Sequence, residues 1–200
     1  MILIKHIFKL ALFAAAIAFA FNFMLNDVSN NFRDANKKSA SNEIYENASG
    51  AFSTYSKMAR LALKEPDERL LMPVKGVRVN QVADTWGAPR SGGRNHAGQD
   101  IFAKRGTPVF SATEGYVLRV GESDLGGKNV FIYGAGGRRY YYAHLDDFAP
   151  DLKVGDEVST NTIIGYVGAT GNAKGTPPHL HFGIYGGGAI NPLTLLKDRS

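Results

Sequence analysis

The chain has no cysteine among its 200 residues. Disulfide scaffolds, thiolate zinc fingers, thiol nucleophiles and a lipid-modified N-terminal cysteine are therefore excluded, and any metal must be held by His, Asp or Glu. Three motif-borne chemistries are missing as well: there is no His-Glu-x-x-His, no Gly-x-Ser-x-Gly and no Gly-x-x-x-x-Gly-Lys-Ser/Thr loop. The formal net charge of +5 is mild, and no basic run is interleaved with aromatics as a nucleic-acid stacking platform requires, so no nucleic acid is expected as a partner. At 44% hydrophobic and 20% charged residues the chain is neither a multi-span membrane protein nor wholly disordered. Glycine is almost absent from the first 74 residues: of 23 glycines only Gly50 lies before position 75.

The one long apolar run is N-terminal. Lys5, His6 and Lys9 precede Leu10 to Phe21, which breaks at Asn22 and resumes to Leu25. A basic start, a short apolar core and the small-residue pattern Ala18-Phe19-Ala20 fit a secretory signal cleaved after Ala20. The competing reading is a retained anchor, since Leu10 to Leu25 as a helix spans roughly 24 Å against a bilayer core of roughly 30 Å. Either way residues 1–25 are expected to direct export, with the rest of the chain released or tethered to the membrane and facing outward. Residues 26–71 read as a polar linker. Within it Ile44, Tyr45, Ala48, Phe52, Tyr55, Met58 and Ala59 recur at helical spacing, predicting a helix over 41–64 that ends before Pro66.

Residues 72–200 carry a different pattern. Short runs such as Tyr116 to Val120, Asn129 to Tyr133, Ile163 to Val167 and His181 to Tyr185 alternate with glycine and Asp/Asn turns. This predicts a mainly β domain, an antiparallel sheet or sandwich. Four of the five histidines fall here. His96 and Asp100 lie in Gly92-Gly93-Arg94-Asn95-His96-Ala97-Gly98-Gln99-Asp100, too glycine-broken for a helix, and can turn toward one point if a strand starts near Ile101. In His179-Leu180-His181, strand alternation puts both imidazoles on one face and Leu180 on the packed one. A catalytic zinc site takes about three protein ligands and keeps an open position. His, His and Asp supply that number, leaving two histidines to move protons and meet a developing oxyanion. The residues alone do not say which of His179 and His181 binds metal.

The chain resembles the lysostaphin/LytM-type zinc peptidases that cut peptidoglycan cross-bridges. The likeness covers about residues 72–192 and rests on the segment from Gly93 to Asp100, on Gly106-Thr107-Pro108-Val109, Gly115-Tyr116-Val117 and Tyr142-Ala143-His144-Leu145, and on Gly175-Thr176-Pro177-Pro178-His179-Leu180-His181-Phe182. The resemblance implies one zinc ion per domain held by His96, Asp100 and His181, with His144 and His179 as catalytic histidines outside the ligand set. It implies an endopeptidase in which zinc-activated water attacks a peptide carbonyl of a peptidoglycan stem peptide or cross-bridge, His179 acting as base and zinc with His144 stabilising the oxyanion. Asn95 and Tyr142 are candidate substrate contacts. The chain departs from the family in having Gly183 where many members carry Glu after His-x-His-Phe.

Two other classes compete. Leu152 to Val158 followed by Thr162 to Gly168 looks like a biotinyl or lipoyl carrier turn, but Lys128 sits in no Asp-Lys or Met-Lys setting, and the peptidase family shares this feature. The other is an envelope protein that binds peptidoglycan, or activates another hydrolase, without cutting.

Overall fold

The computed structural model describes residue 50 and residues 53–90 and 92–199. The signal or anchor expected at 1–25, and the linker helix before residue 53 apart from Gly50, lie outside the described residues. The chain divides into two units, 1–63 and 64–200. The first contributes a helix over 53–63, inside the helix expected at 41–64. Among the described residues no helix is long and apolar enough to cross a membrane.

The second unit is built from β1 (Leu70–Leu71), β2 (Pro89–Arg90), β3 (Arg94–Asn95), β4 (Gln99–Phe102), β5 (Pro108–Phe110) and β6 (Gly115–Ser123). There follow β7 (Gly127–Gly134), β8 (Arg139–Phe148), β9 (Glu157–Val158), β10 (Ile163–Val167), β11 (His179–Tyr185), β12 (Ala189–Ile190) and β13 (Leu196–Lys197). A nine-stranded sheet runs β12-β11-β8-β7-β6-β9, with β4 added on β11 and with β10 pairing both β5 and β8. Its pairings are antiparallel, whereas β1 runs parallel to β13. Because β1 is tied to β13 and Leu70 is fully buried, the β unit takes in residues just before position 72.

Alternation explains how the sheet divides its faces. On β11 Leu180, Phe182 and Ile184 are fully buried in the core, each worth roughly 1.5–3 kcal/mol of hydrophobic stabilisation. His179 and His181 leave from the other face. On β8 the same rule sends Tyr140 and Tyr142 into the core. By parity His144 would follow them, yet it does not. Val130 pairs with Tyr142 and Lys128 with Leu145, so β8 carries one residue more than β7 across this stretch. That β-bulge falls at Ala143-His144, and His144 takes the left-handed backbone, φ 62°, unusual for a non-glycine residue. Leu145 then returns to the core while His144 is turned away from it.

Candidate metal and catalytic site

The ladder between β4 and β11 sets Asp100 directly opposite His181. His96, just past β3, closes a triangle of donor atoms. Its Nε2 lies 2.9 Å from His181 Nδ1 and 3.1 Å from Asp100 Oδ1, and His181 Nδ1 lies 3.2 Å from the same oxygen. His96 Nδ1–H donates to the Thr85 carbonyl at 2.7 Å, so Nε2 presents its lone pair. Burial acts to raise the Asp100 carboxyl, but its close contacts with His181 and His96 hold it well below the usual carboxylate range. Burial lowers His181 despite the hydrogen bond and attraction of Asp100.

This donor set fits zinc. Two acceptors 3.1 Å apart with His181 Nδ1 beside them call for a cation among them. A tetrahedral zinc with bonds of about 2.0–2.2 Å spaces its donors about 3.3–3.6 Å apart, slightly wider than the edges seen, and three protein ligands leave one position open. Among the described residues this is the group of side chains able to hold a metal ion.

Residues without any sequence motif hold the triangle in place. Thr85 accepts the Asp100 N–H on its hydroxyl at 2.9 Å while its carbonyl takes His96. Gln99 is fully buried; its amide nitrogen donates to the Ala83 carbonyl and its oxygen accepts the Thr85 N–H at 3.4 Å. One buried side chain thereby fixes the segment that orients both His96 and Asp100, the kind of outer support metal sites depend on. Arg90 Nη2 donates to the second Asp100 oxygen at 2.6 Å. Gly98 is a steric requirement: a Cβ there would lie 2.6 Å from His181 Cε1 and Nε2 and 2.8 Å from the Phe182 carbonyl. Gly98→Ala is expected to push the His181 ring aside and weaken zinc binding about 10–100-fold, as read by titration against a chromogenic chelator.

The other two histidines face this group. His179 Nδ1–H donates to the Pro177 carbonyl and His144 Nδ1–H to the Thr170 carbonyl, each at 2.9 Å. A carbonyl only accepts, so both rings turn Nε2 lone pairs outward. His179 Nε2 lies 3.9 Å from Asp100 Oδ1, and the His144 ring meets His179 edge-on at 5.0 Å and His181 at 5.9 Å. Burial, then the neighbouring His179 and His181, pushes His144 down to about 4.

Tyr142, expected as a candidate substrate contact, lies on the core face. It is fully buried, its ring is tilted against Phe182 at 5.1 Å, and its hydroxyl accepts the Ala112 N–H at 2.9 Å. Strand parity places it on the core face. Tyr142→Phe is expected to leave KM unchanged and to destabilise the fold by about 1–3 kcal/mol in urea unfolding, because the buried Ala112 N–H loses its acceptor. The tyrosine at the site is Tyr141, edge-on to His181 at 5.8 Å and stacked on Phe131 at 4.4 Å. Asn95 is exposed on β3 beside His96. Phe102, opposite His179 on the ladder, is half-exposed with its ring 5.3 Å from that imidazole. At Gly183 a Cβ would meet the Tyr185 side chain at 3.1–3.4 Å, so Tyr185 fills the space beside that position.

Comparison with known proteins converges on the same region. Residues 94–192 match the family model described as Peptidase family M23. The L-Ala–D-Glu endopeptidase of Bacillus subtilis (strain 168) is 43% identical over 108 residues, 50% of this chain and 33% of that protein. The catalytic domain of the antimicrobial peptidase lysostaphin from Staphylococcus simulans is 32% identical with a TM-score of 0.51, over 57% of this chain and 92% of that one. A zinc containing peptidase from Vibrio cholerae is 28% identical with a TM-score of 0.53, over 64% of this chain and 39% of that one. The chain spans a third or less of the length of the curated relatives it matches.

Proposed function

Because this chain belongs to peptidase family M23, we propose that it is a zinc metalloendopeptidase that hydrolyses peptide bonds in the stem peptides or cross-bridges of bacterial peptidoglycan. The observation that carries this reading is the triangle of His96, Asp100 and His181 donor atoms, with edges of 2.9–3.2 Å, faced by two imidazoles whose Nδ1–H groups are already committed. His96 Nε2, Asp100 Oδ1 and His181 Nδ1 would hold one zinc ion. Bound zinc acts as a Lewis acid, lowering the pKa of water toward about 7 and polarising a peptide carbonyl.

The protein's own residues supply the rest. Ionised Asp100 offsets positive charge at the ligand set, and Arg90 holds its outer oxygen. His179 takes the proton of the attacking water at Nε2, where its only basic lone pair lies, and passes it to the departing amine. His144 is assigned to the tetrahedral oxyanion; with its Nδ1–H held by Thr170 the ring is otherwise neutral, so this role needs a second proton at Nε2, taken from solvent as the negative charge develops. Asn95, exposed beside His96, remains the proposed substrate contact on β3. The expected N-terminal signal or anchor would place the domain in the envelope, where peptidoglycan is found.

The test is mass analysis of purified peptidoglycan incubated with the full chain. New peptide termini that vanish with a chelator and return with zinc are the expected result. Intact cross-links after exposure to folded, zinc-loaded protein would overturn hydrolysis in favour of binding without cutting.

A further inference from the structure

β4 brings to the site one side chain that neither metal binding nor proton transfer uses. Along Gln99–Phe102 the strand alternates: Gln99 and Ile101 are fully buried, while Asp100 and Phe102 leave from the other face, toward the histidines. Phe102 thus sits on the site face two positions beyond a proposed zinc ligand. It is 51% exposed, the most exposed aromatic among the described residues of the second unit. Single exposed apolar side chains are ordinary on a protein surface; this one is set apart by its place. The ladder puts it opposite His179, with its ring 5.3 Å from that imidazole at a tilt of 46°.

Backbone on both sides holds this contact. Phe102 closes the β4–β11 ladder, and the next residue, Ala103, donates its N–H to the Pro178 carbonyl at 3.3 Å. The His179 N–H is tied in turn to the Gly168 carbonyl at 3.0 Å. The other flank of β11 differs. There β8 presents Tyr141, half-buried and stacked on Phe131, so one face of that ring is already covered by the protein. Much of the Phe102 ring is open to water. An open aromatic face offers little to a polar group and gains by covering apolar surface.

Proton transfer decides what passes over that face. His179 hands its proton to the departing amine in the mechanism proposed above, so the residue that owns this amine lies against His179 and its neighbour Phe102. We propose that Phe102 is the wall of an apolar subsite for the side chain on the amine side of the scissile bond, selecting an aliphatic chain of several carbons over a short or polar one. This rests on the peptide-cutting reading above, with His179 as the group that protonates the amine.

The experiment offers the zinc-loaded full chain synthetic peptidoglycan stem peptides carrying alanine, norvaline or homoserine at one position at a time. The cleavage products locate the bond and so assign each altered residue to its amine or carbonyl side. Two added carbons fully removed from water would improve binding about 15-fold, and contact with a single wall about fourfold. Norvaline on the amine side is therefore expected to lower KM about fourfold relative to alanine, with kcat within about twofold. Homoserine, which matches norvaline in shape but ends in a hydroxyl, should bind like alanine. Phe102→Ala should raise the norvaline KM to that of alanine, and Phe102→Leu should keep part of the preference. Zinc content and unfolding midpoint are measured for each variant. A ring that only braced β4 would, once removed, shift all three peptides by one factor or release zinc, and that result would overturn the subsite. So would equal KM values for alanine and norvaline in the unaltered protein, or a Phe102-dependent preference on the carbonyl side; each leaves hydrolysis standing. Calorimetry on zinc-loaded His144→Asn reads binding without turnover. Tighter binding of norvaline peptides that needs Phe102, with no peptide cut by the unaltered protein, would leave the subsite standing and overturn hydrolysis; no cleavage and equal binding would overturn both.

Discussion

Asp100→Ala and His181→Ala are each expected to lose zinc and hydrolysis together. Each removes one corner of a triangle whose edges are 2.9–3.2 Å, leaving two protein donors where a catalytic zinc takes about three. Loss of an outer-shell partner costs about 10–100-fold in metal affinity, and loss of a direct ligand should exceed that. Asp100→Ala carries a second penalty, since Arg90 and the imidazoles His96 and His181 lose the carboxylate that faces them all. Asp100→Asn keeps the shape and removes the charge, so it separates the two contributions: affinity intermediate between the parent and Asp100→Ala is the expected outcome. Zinc titration with a competing chelator reads affinity, and release of peptide termini reads activity. Retained zinc in His181→Ala would overturn the division into ligands and catalysts.

His179→Ala and His144→Ala are expected to behave in the opposite way, keeping zinc while kcat falls about 10²–10⁴-fold, the span general acid–base groups contribute. Neither ring supplies an atom to the donor triangle, and each has its Nδ1–H committed to a backbone carbonyl. His144 needs one further control because its backbone is left-handed at φ 62°. Asn tolerates that region better than most side chains, so His144→Asn tests the chemistry with the backbone accommodated. A large loss of kcat in both His144 variants, with zinc and unfolding midpoint held, assigns the effect to the imidazole. If His144→Ala lost zinc as severely as His181→Ala, its role outside the ligand set would be wrong.

The His-x-His run shows how far the sequence can be read. Alternation alone placed His179 and His181 on one face and Leu180 in the core, and the ladder with β4 adds what a linear chain does not display, the pairing of His181 with Asp100. Tyr142 was open to the same rule: counted from Tyr140 it belongs to the core, and nearness in sequence to His144 says nothing about nearness to substrate. His144 defeats the rule, since parity puts it with the tyrosines and only an extra residue in β8 turns it out. Such a bulge has no signature in Tyr-Ala-His-Leu itself. Thr85, Gln99 and Arg90 were illegible for a different reason. Their residue types are ordinary, and their roles arise from contacts across 10 to 16 positions that only the folded β2–β4 region brings together.

The extra residue in β8 also bears on how this domain can change over generations. The proposed zinc ligands sit on the regular β4–β11 ladder and the stretch that returns to it, whereas His144 owes its place to a single inserted position. Deleting the His144 codon would restore plain alternation from Tyr142 to Leu145 and leave the ladder untouched. The expected descendant still loads zinc, still folds and no longer turns over. A hydrolase and an inert zinc-bearing scaffold would then stand one mutational step apart, and inheritance of the metal ligands alone would be a poor guide to which of the two a relative has become.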